Sequence, residues 1–126
     1  MSDPVMEAYT KAYNDSGQQI QAFGVINTGG QVLWQSNNWD LTADAAALVG
    51  AVAGNAPSVV QNQVKYSVIG RGPERLVARS VAGHGVLVMA KVDDDKWAVA
   101  WATAEAAPDA VHVDVDRAAR TIKGKI

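Results

Sequence analysis

His84 and His112 are the two histidines of the chain, and with the run Asp93-Asp94-Asp95 they are the side chains best suited to hold a metal ion or move a proton. Their spacing supports neither use. The histidines stand far apart with no further ligands at metal spacing. A calcium loop of the EF-hand kind needs oxygen ligands spread over about 12 residues and closed by a bidentate Glu. The aspartate run therefore reads as a solvated hairpin tip. Neither G-x-x-x-x-G-K-[ST] nor G-x-G-x-x-G occurs, and Gly70-Arg71-Gly72 is only a turn fragment. No G-x-S-x-G elbow is present, and the absence of cysteine excludes thiol catalysis and thiolate metal sites. These residues point to no enzyme and imply no cofactor.

A different set does carry a signal. Between positions 65 and 91, the five bases Lys65, Arg71, Arg75, Arg79 and Lys91 face one acid, Glu74, whereas Lys11 is the only base before position 65. On an extended strand Arg75, Val77 and Arg79 share a face, and Lys65 projects from the neighbouring strand, so one side of a sheet gathers several cations. The bland alternative is the solvated side of a sheet. The alternative with consequences is an interface whose basic and apolar residues complement an acidic partner. The net charge of -2 argues against bulk electrostatic binding to nucleic acid.

The elements that position these residues follow from punctuation and periodicity. Val64 to Ile69, Arg75 to Ser80, Gly85 to Lys91 and Trp97 to Ala102 alternate as strands, and the turns between them make a meander. Trp97, Val99 and Trp101 point one way and Ala98, Ala100 and Ala102 the other, the small side permitting a helix to lie close. Upstream, Asp3-Pro4 forms an N-cap and a first helical position, followed by the stripe Val5, Met6, Tyr9 and Tyr13. Gln18 to Ile26 and Gln31 to Gln35 form a hairpin around Asn27-Thr28-Gly29-Gly30. After the polar turn Ser36-Asn37-Asn38-Trp39, Thr42 is the expected cap of a helix with Asp44 in its first turn. Ala45, Leu48, Val49 and Val52 make that helix's apolar face, and Gly54-Asn55 ends it. Val111, Val113 and Val115 alternate as a strand would, yet Val111, Val115, Ala118 and Ile122 also make a helical stripe. Helix propensity and Pro108 favour a helix from about Pro108 to Lys123. The expected architecture is one α/β domain of the α+β type over residues 1–126, a central antiparallel sheet of about six strands flanked by N- and C-terminal helices and one mid-chain helix.

A chain of 126 residues is one domain's worth. No apolar run approaches the roughly 18 residues that would cross a bilayer, and Met-Ser-Asp-Pro lacks the layout of a signal peptide. The expectation is a protein that stays in the cytoplasm where it is made.

Four stretches, in this order and spacing, resemble the profilin family from about Tyr9 to Ile122. Gly30-Gln31-Val32-Leu33-Trp34-Gln35-Ser36 with the following Leu41-Thr42-Ala43-Asp44 is similar to the family's Val-Trp-Ala-Gln-Ser strand and the helix after it. Gln63-Val64-Lys65-Tyr66-Ser67-Val68-Ile69 is similar to its Gly-Gln-Lys-Tyr-x-Val-Ile strand. Ala78 to Val86 takes the place of the basic, glycine-rich hairpin, and Val113-Asp114-Val115-Asp116-Arg117 resembles the Val-Val-Glu-Arg turn of the C-terminal helix. The resemblance implies a monomer, associated with the cytoskeleton, that binds monomeric actin through the later strands and the start of the last helix. It also implies a site for proline-rich peptides between the terminal helices and, in many members, contact with phosphoinositide headgroups. Carried over by position, the actin face comprises Lys65, Val68, Arg79, Val111 and His112; Arg71 and Arg75 join on charge, and His84 from the hairpin. The polyproline set is Met6, Tyr9, Tyr13, Leu33 and Trp34. Met6 stands where the family has its N-terminal tryptophan and Leu33 where it has its hairpin tryptophan, with Trp34 one position later. A shift of one residue in a regular strand turns a side chain to the opposite face. Ser80 and Val81 replace common lysines, which reduces the charge available to phosphoinositides. These departures resemble a divergent member, of the kind expected in an archaeon or another lineage with minimal actin machinery.

One other architecture has nearly the same element order, a roadblock-type homodimeric scaffold serving small GTPases. Element order does not separate the two; oligomeric state does.

Overall fold

Asp3 and Pro4 open the first helix, α1 (Pro4–Asp15), in the computed structural model of the chain, which describes residues 3–37, 39–54 and 56–126. Asn38 of the expected polar turn and Asn55 of the expected helix end lie outside the described residues, as do Met1 and Ser2. Asp3 Oδ1 accepts from the backbone N–H of Val5 at 2.9 Å and of Met6 at 3.4 Å, satisfying donors that the first turn leaves without partners. Helical spacing puts Val5, Ala8 and Ala12 at the centre of the buried stripe. Tyr9 and Tyr13 fall on its flanks, half-buried, and Met6 is exposed, so the aromatic stripe of the sequence is not the core stripe.

Strands β1 (Ile20–Asn27) and β2 (Val32–Gln35) make the expected hairpin, and helix α2 (Ala45–Ala53) follows. Thr42 does not cap α2. The helix begins at Ala45, and Asp44 stands at the cap position without a side-chain capping bond, because its carboxylate accepts from the backbone N–H of Asn62 at 2.9 Å. Asp40 Oδ1 instead takes the Thr42 N–H at 2.9 Å and turns the chain locally.

Beyond α2 come β3 (Ser58–Gln61), β4 (Val64–Gly72), β5 (Arg75–Arg79), β6 (Val86–Asp93) and β7 (Lys96–Ala102). The seven strands form one antiparallel sheet in the order β2-β1-β7-β6-β5-β4-β3, one strand more than expected. The addition is β3, a four-residue edge strand. It turns into β4 through Asn62 and Gln63, whose φ angles of 52° and 65° are those of a tight hairpin turn. Gln63 lacks the glycine that usually advertises such a turn.

The last element is helix α3 (Pro108–Ile122), which settles the ambiguity of Val111 to Val115. Val111, Val115, Ala118, Ala119 and Ile122 are buried while Val113 is 52% exposed, a helical and not an alternating pattern. Arg120 Nε pairs with Asp116 Oδ2 at 3.0 Å across one turn. Together α1 and α3 cover one side of the sheet, where Ala98, Ala100 and Ala102 of β7 offer the small surface that close approach requires. On the other side α2 packs over Tyr66, Leu76, Leu87, Met89 and Val99. Each fully buried Val, Leu or Ile in these layers contributes about 1.5–3 kcal/mol.

Candidate functional site

Helix α3 lies along β6 with its flanks on β5 and β7, so the sheet continues past it on β4 and β3. Strand alternation decides what that surface presents. Arg75 and Arg79 point to the α3 side of β5, opposite Ala90 and Val86, whose side chains belong to the α3 core. Ser67 stands opposite Arg79, and Lys65, two residues away on β4, shares its face beside the exposed Val60. A β-bulge between Val68 and Gly70 leaves Ile69 as an extra residue, 57% exposed. Ser67, Ile69, Arg79 and Val81 line one hollow of about 390 Å³, with Val81 at 86% exposure. Among the described residues no acid stands within ion-pair distance of Lys65, Arg75 or Arg79, whereas Lys91 is paired with Asp94 at 3.6 Å.

The structure divides the eight residues expected on this face. Lys65, Arg75 and Arg79 are on it. His112 stands at its edge on α3, half-buried, with Nε2 buried and unpartnered. Burial, and then the charge of Arg75, holds His112 below its ordinary pKa, against the opposing pull of Asp116 and Asp109. Val68 points to the α2 side, opposite Ala78, and packs on that core. Its place outside is taken by the bulged Ile69, which sequence alignment by position passes over. Val111 is a core residue, 1% exposed. Arg71 stands opposite Leu76, also on the α2 side, and its Nη2 donates to the carbonyl of Ala56, tying the end of β4 to the segment before β3. His84 sits in the β5–β6 turn, where its carbonyl accepts the indole N–H of Trp101 at 3.1 Å, and it lines a hollow with Trp39, Tyr66 and Trp101 that contains none of the basic residues.

A second group of side chains meets where α1 crosses β1 and β2. Tyr9 stacks on Phe23 with ring centroids 5.9 Å apart, and Trp34 meets both edge-on at 6.3 and 6.4 Å. Burial, and then Tyr13, raises the pKa of Tyr9. Trp34 faces α1 because of a second bulge: Val25 pairs with Trp34 and Ile26 with Val32, leaving Leu33 as the extra, exposed residue. The one-residue offset expected to turn the ring away is thus absorbed by the strand itself. Met6, Tyr9 and Trp34 line a hollow of about 250 Å³ with Ser36 and Asn37; Tyr13 and Leu33 are not part of it. The seam between α1 and α3 is closed by charge, with Asp15 Oδ2 at 3.1 Å from Lys11 and 3.5 Å from Arg117, and Arg117 at 3.8 Å from Asp114. Burial, and then Asp15, raises the pKa of Asp114. Helix α3 contributes no Phe, Tyr or Trp to this region.

No family model matches the chain. It is 65% identical to Thor profilin of Thorarchaeota archaeon (strain AB_25) over 128 residues, covering all of both chains. It is 28% identical to Odin profilin of Odinarchaeota yellowstonii (strain LCB_4) over 103 residues, 82% of this chain and 85% of that one. Among solved structures, LokiProfilin1 in its complex with rabbit actin shares the fold with a TM-score of 0.88 at 18% identity, over 100% of this chain and 98% of that one. Full-length identity of this degree, on a seven-stranded sheet with its terminal helices side by side, places the chain in the profilin family.

Proposed function

We propose that this profilin binds monomeric actin and controls its assembly through the part of the sheet that α3 leaves uncovered. One observation carries the reading: Lys65, Arg75 and Arg79 have no acid partners among the described residues, Lys65 stands opposite the exposed Val60, and Arg79 lines one hollow with the exposed Ile69 and Val81. Unpaired cations steer an acidic partner and fix its orientation, while the apolar area between them supplies affinity. The actin complex of LokiProfilin1, whose fold this chain shares, supports the choice of partner. Covering one end of an actin subunit blocks addition at that end and leaves the other free, so no bond chemistry is involved. The test is polymerisation of the cognate actin with increasing amounts of this protein. A dose-dependent change in assembly, with a one-to-one complex in sedimentation velocity, is the expected result. Self-association through the Lys65 to Arg79 surface would instead favour the roadblock-like scaffold.

The hollow of Met6, Tyr9 and Trp34 supports weak capture of proline-rich segments, which dock between aromatic side chains. With the α1–α3 seam closed by Asp15 and Arg117, the second wall of such a groove is absent among the described residues. Decaproline should therefore bind feebly. Phosphoinositide contact falls on the same Lys65 and Arg79 surface, and vesicle sedimentation measures it.

A further inference from the structure

Trp39, Tyr66 and Trp101 line a hollow of about 280 Å³ on the α2 side of the sheet, together with Gln61 and His84. That volume is at the lower end of small-molecule sites, which start at about 300 Å³. Both indole N–H groups are already engaged. Trp39 Nε1 donates to Gln61 Oε1 at 3.0 Å, and Gln61, 1% exposed, donates in turn to the Asp40 carbonyl at 3.2 Å. Trp101 Nε1 donates to the His84 carbonyl at 3.1 Å. The turn reaches that close because Gly85 has φ 126°, and a Cβ there would lie 2.5 Å from Trp101 Nε1. With their donors used internally and their rings fixed, the two indoles have only π surface left to offer a ligand.

No Lys or Arg lines the hollow. From Ala12 to Val64 the sequence has three acids, Asp15, Asp40 and Asp44, and no Lys or Arg. Two of the three are joined to the lining, Asp40 through its carbonyl on Gln61 and Asp44 through its carboxylate on the Asn62 N–H. An anion would meet no Lys or Arg among the lining residues. An organic cation with an apolar shell meets the faces of two tryptophans in a hollow lined by no Lys or Arg, the π surface that recognises quaternary ammonium groups.

We propose that this hollow binds a small quaternary ammonium compound of the choline type through Trp39 and Trp101. It lies on the opposite side of the sheet from Lys65 and Arg79, so the proposal does not depend on the actin reading. The probe is choline, and the readout is the four indole N–H resonances of the full chain in a nitrogen-edited NMR titration. The Trp39 and Trp101 signals should shift saturably while those of Trp34 and Trp97 stay still. Trp101→Leu should weaken binding about tenfold, in line with a cation–π contact of about 1–2 kcal/mol. Since that variant also removes a bond to the turn, the wild-type protein is titrated in parallel with 3,3-dimethylbutanol, a neutral isostere of choline, which should leave all four signals in place. Equal shifts with the neutral isostere would overturn the proposal, as would no saturable shift at about 50 mM choline, far weaker than the millimolar binding that about 4 kcal/mol represents. Movement of Trp39 and Trp101 by decaproline and not by choline would overturn it too, marking a peptide groove.

Discussion

Trp34 donates its indole N–H to Asp3 Oδ2 at 3.0 Å, while the other oxygen of the same carboxylate caps the first turn of α1. One side chain thus starts the helix and ties it to the hairpin that lies beneath it. Replacing Asp3 by Ala removes a cap of about 1 kcal/mol together with an exposed hydrogen bond of the charged kind. For a domain of this size the melting temperature should fall by about 3–6 °C. Asp3→Ser restores the cap but not the tether, so it should recover part of the loss while Trp34 fluorescence stays shifted to the red. Equal stability of all three proteins would show that the tether and cap contribute nothing in solution.

Leu33 is the extra residue of the β1–β2 ladder. Deleting it should leave Val25 opposite Trp34 and Ile26 opposite Val32, each on the side it already occupies, with the bulge replaced by a regular strand. The expectation is a folded protein whose Trp34 emission is unchanged. A strong red shift on deletion would mean that the bulge is needed to hold the ring against Tyr9.

The two bulges also mark where the sequence stopped being legible. The helical stripe of α3, the alternation in β7 and the Asp3-Pro4 start are local signals, and the structure repeats them. A bulge is set by the fit of two strands distant in sequence, so neither the outward turn of Ile69 nor the inward turn of Trp34 could be read from periodicity. Aligning Val68 and Leu33 with family positions assumed an unbroken pleat. The strand β3 escaped for a related reason, because its four residues take their meaning from β4 beside them. Charge, by contrast, survived the transfer where no bulge intervened: Lys65, Arg75 and Arg79 share a face, whereas Arg71, six residues beyond Lys65 and so of the same parity, is turned to the other face by the bulge between Val68 and Gly70.

His112 provides a pH prediction whose sign follows from burial. Its folded pKa is depressed, with desolvation the first cause and Arg75 the second, whereas the unfolded chain titrates near the ordinary value of about 6.5. As pH falls through about 6.5, the unfolded state takes up the proton first, so stability declines until the folded value is reached and then levels off. His112→Gln should flatten that part of the profile of melting temperature against pH. Asp109 and Asp116 oppose the shift and limit its size. A profile that keeps its acid-side slope after the substitution would assign the slope to other groups.

The charge of the uncovered sheet gives the sharpest test of partner binding. Lys65 and Arg79 lie on the surface and have no ion-pair partners among the described residues, so reversing both to Glu removes attraction without breaking a contact in the fold. Against the cognate actin, Lys65→Glu with Arg79→Glu should weaken binding at least about tenfold, or about 1.4 kcal/mol, and chiefly by slowing association. The salt dependence of the remaining affinity should become shallower, since fewer charges are left to screen. Ile69→Asp tests the apolar half of the same surface and should act mainly on dissociation. Arg71→Ala is the internal contrast. It releases the Ala56 carbonyl on the far side of the sheet, so it should lower stability and leave the association rate for actin unchanged. If the double reversal and Ile69→Asp are both silent in calorimetry while the protein still slows assembly, actin is held by another part of the molecule, and the uncovered strands are only the solvated side of a sheet.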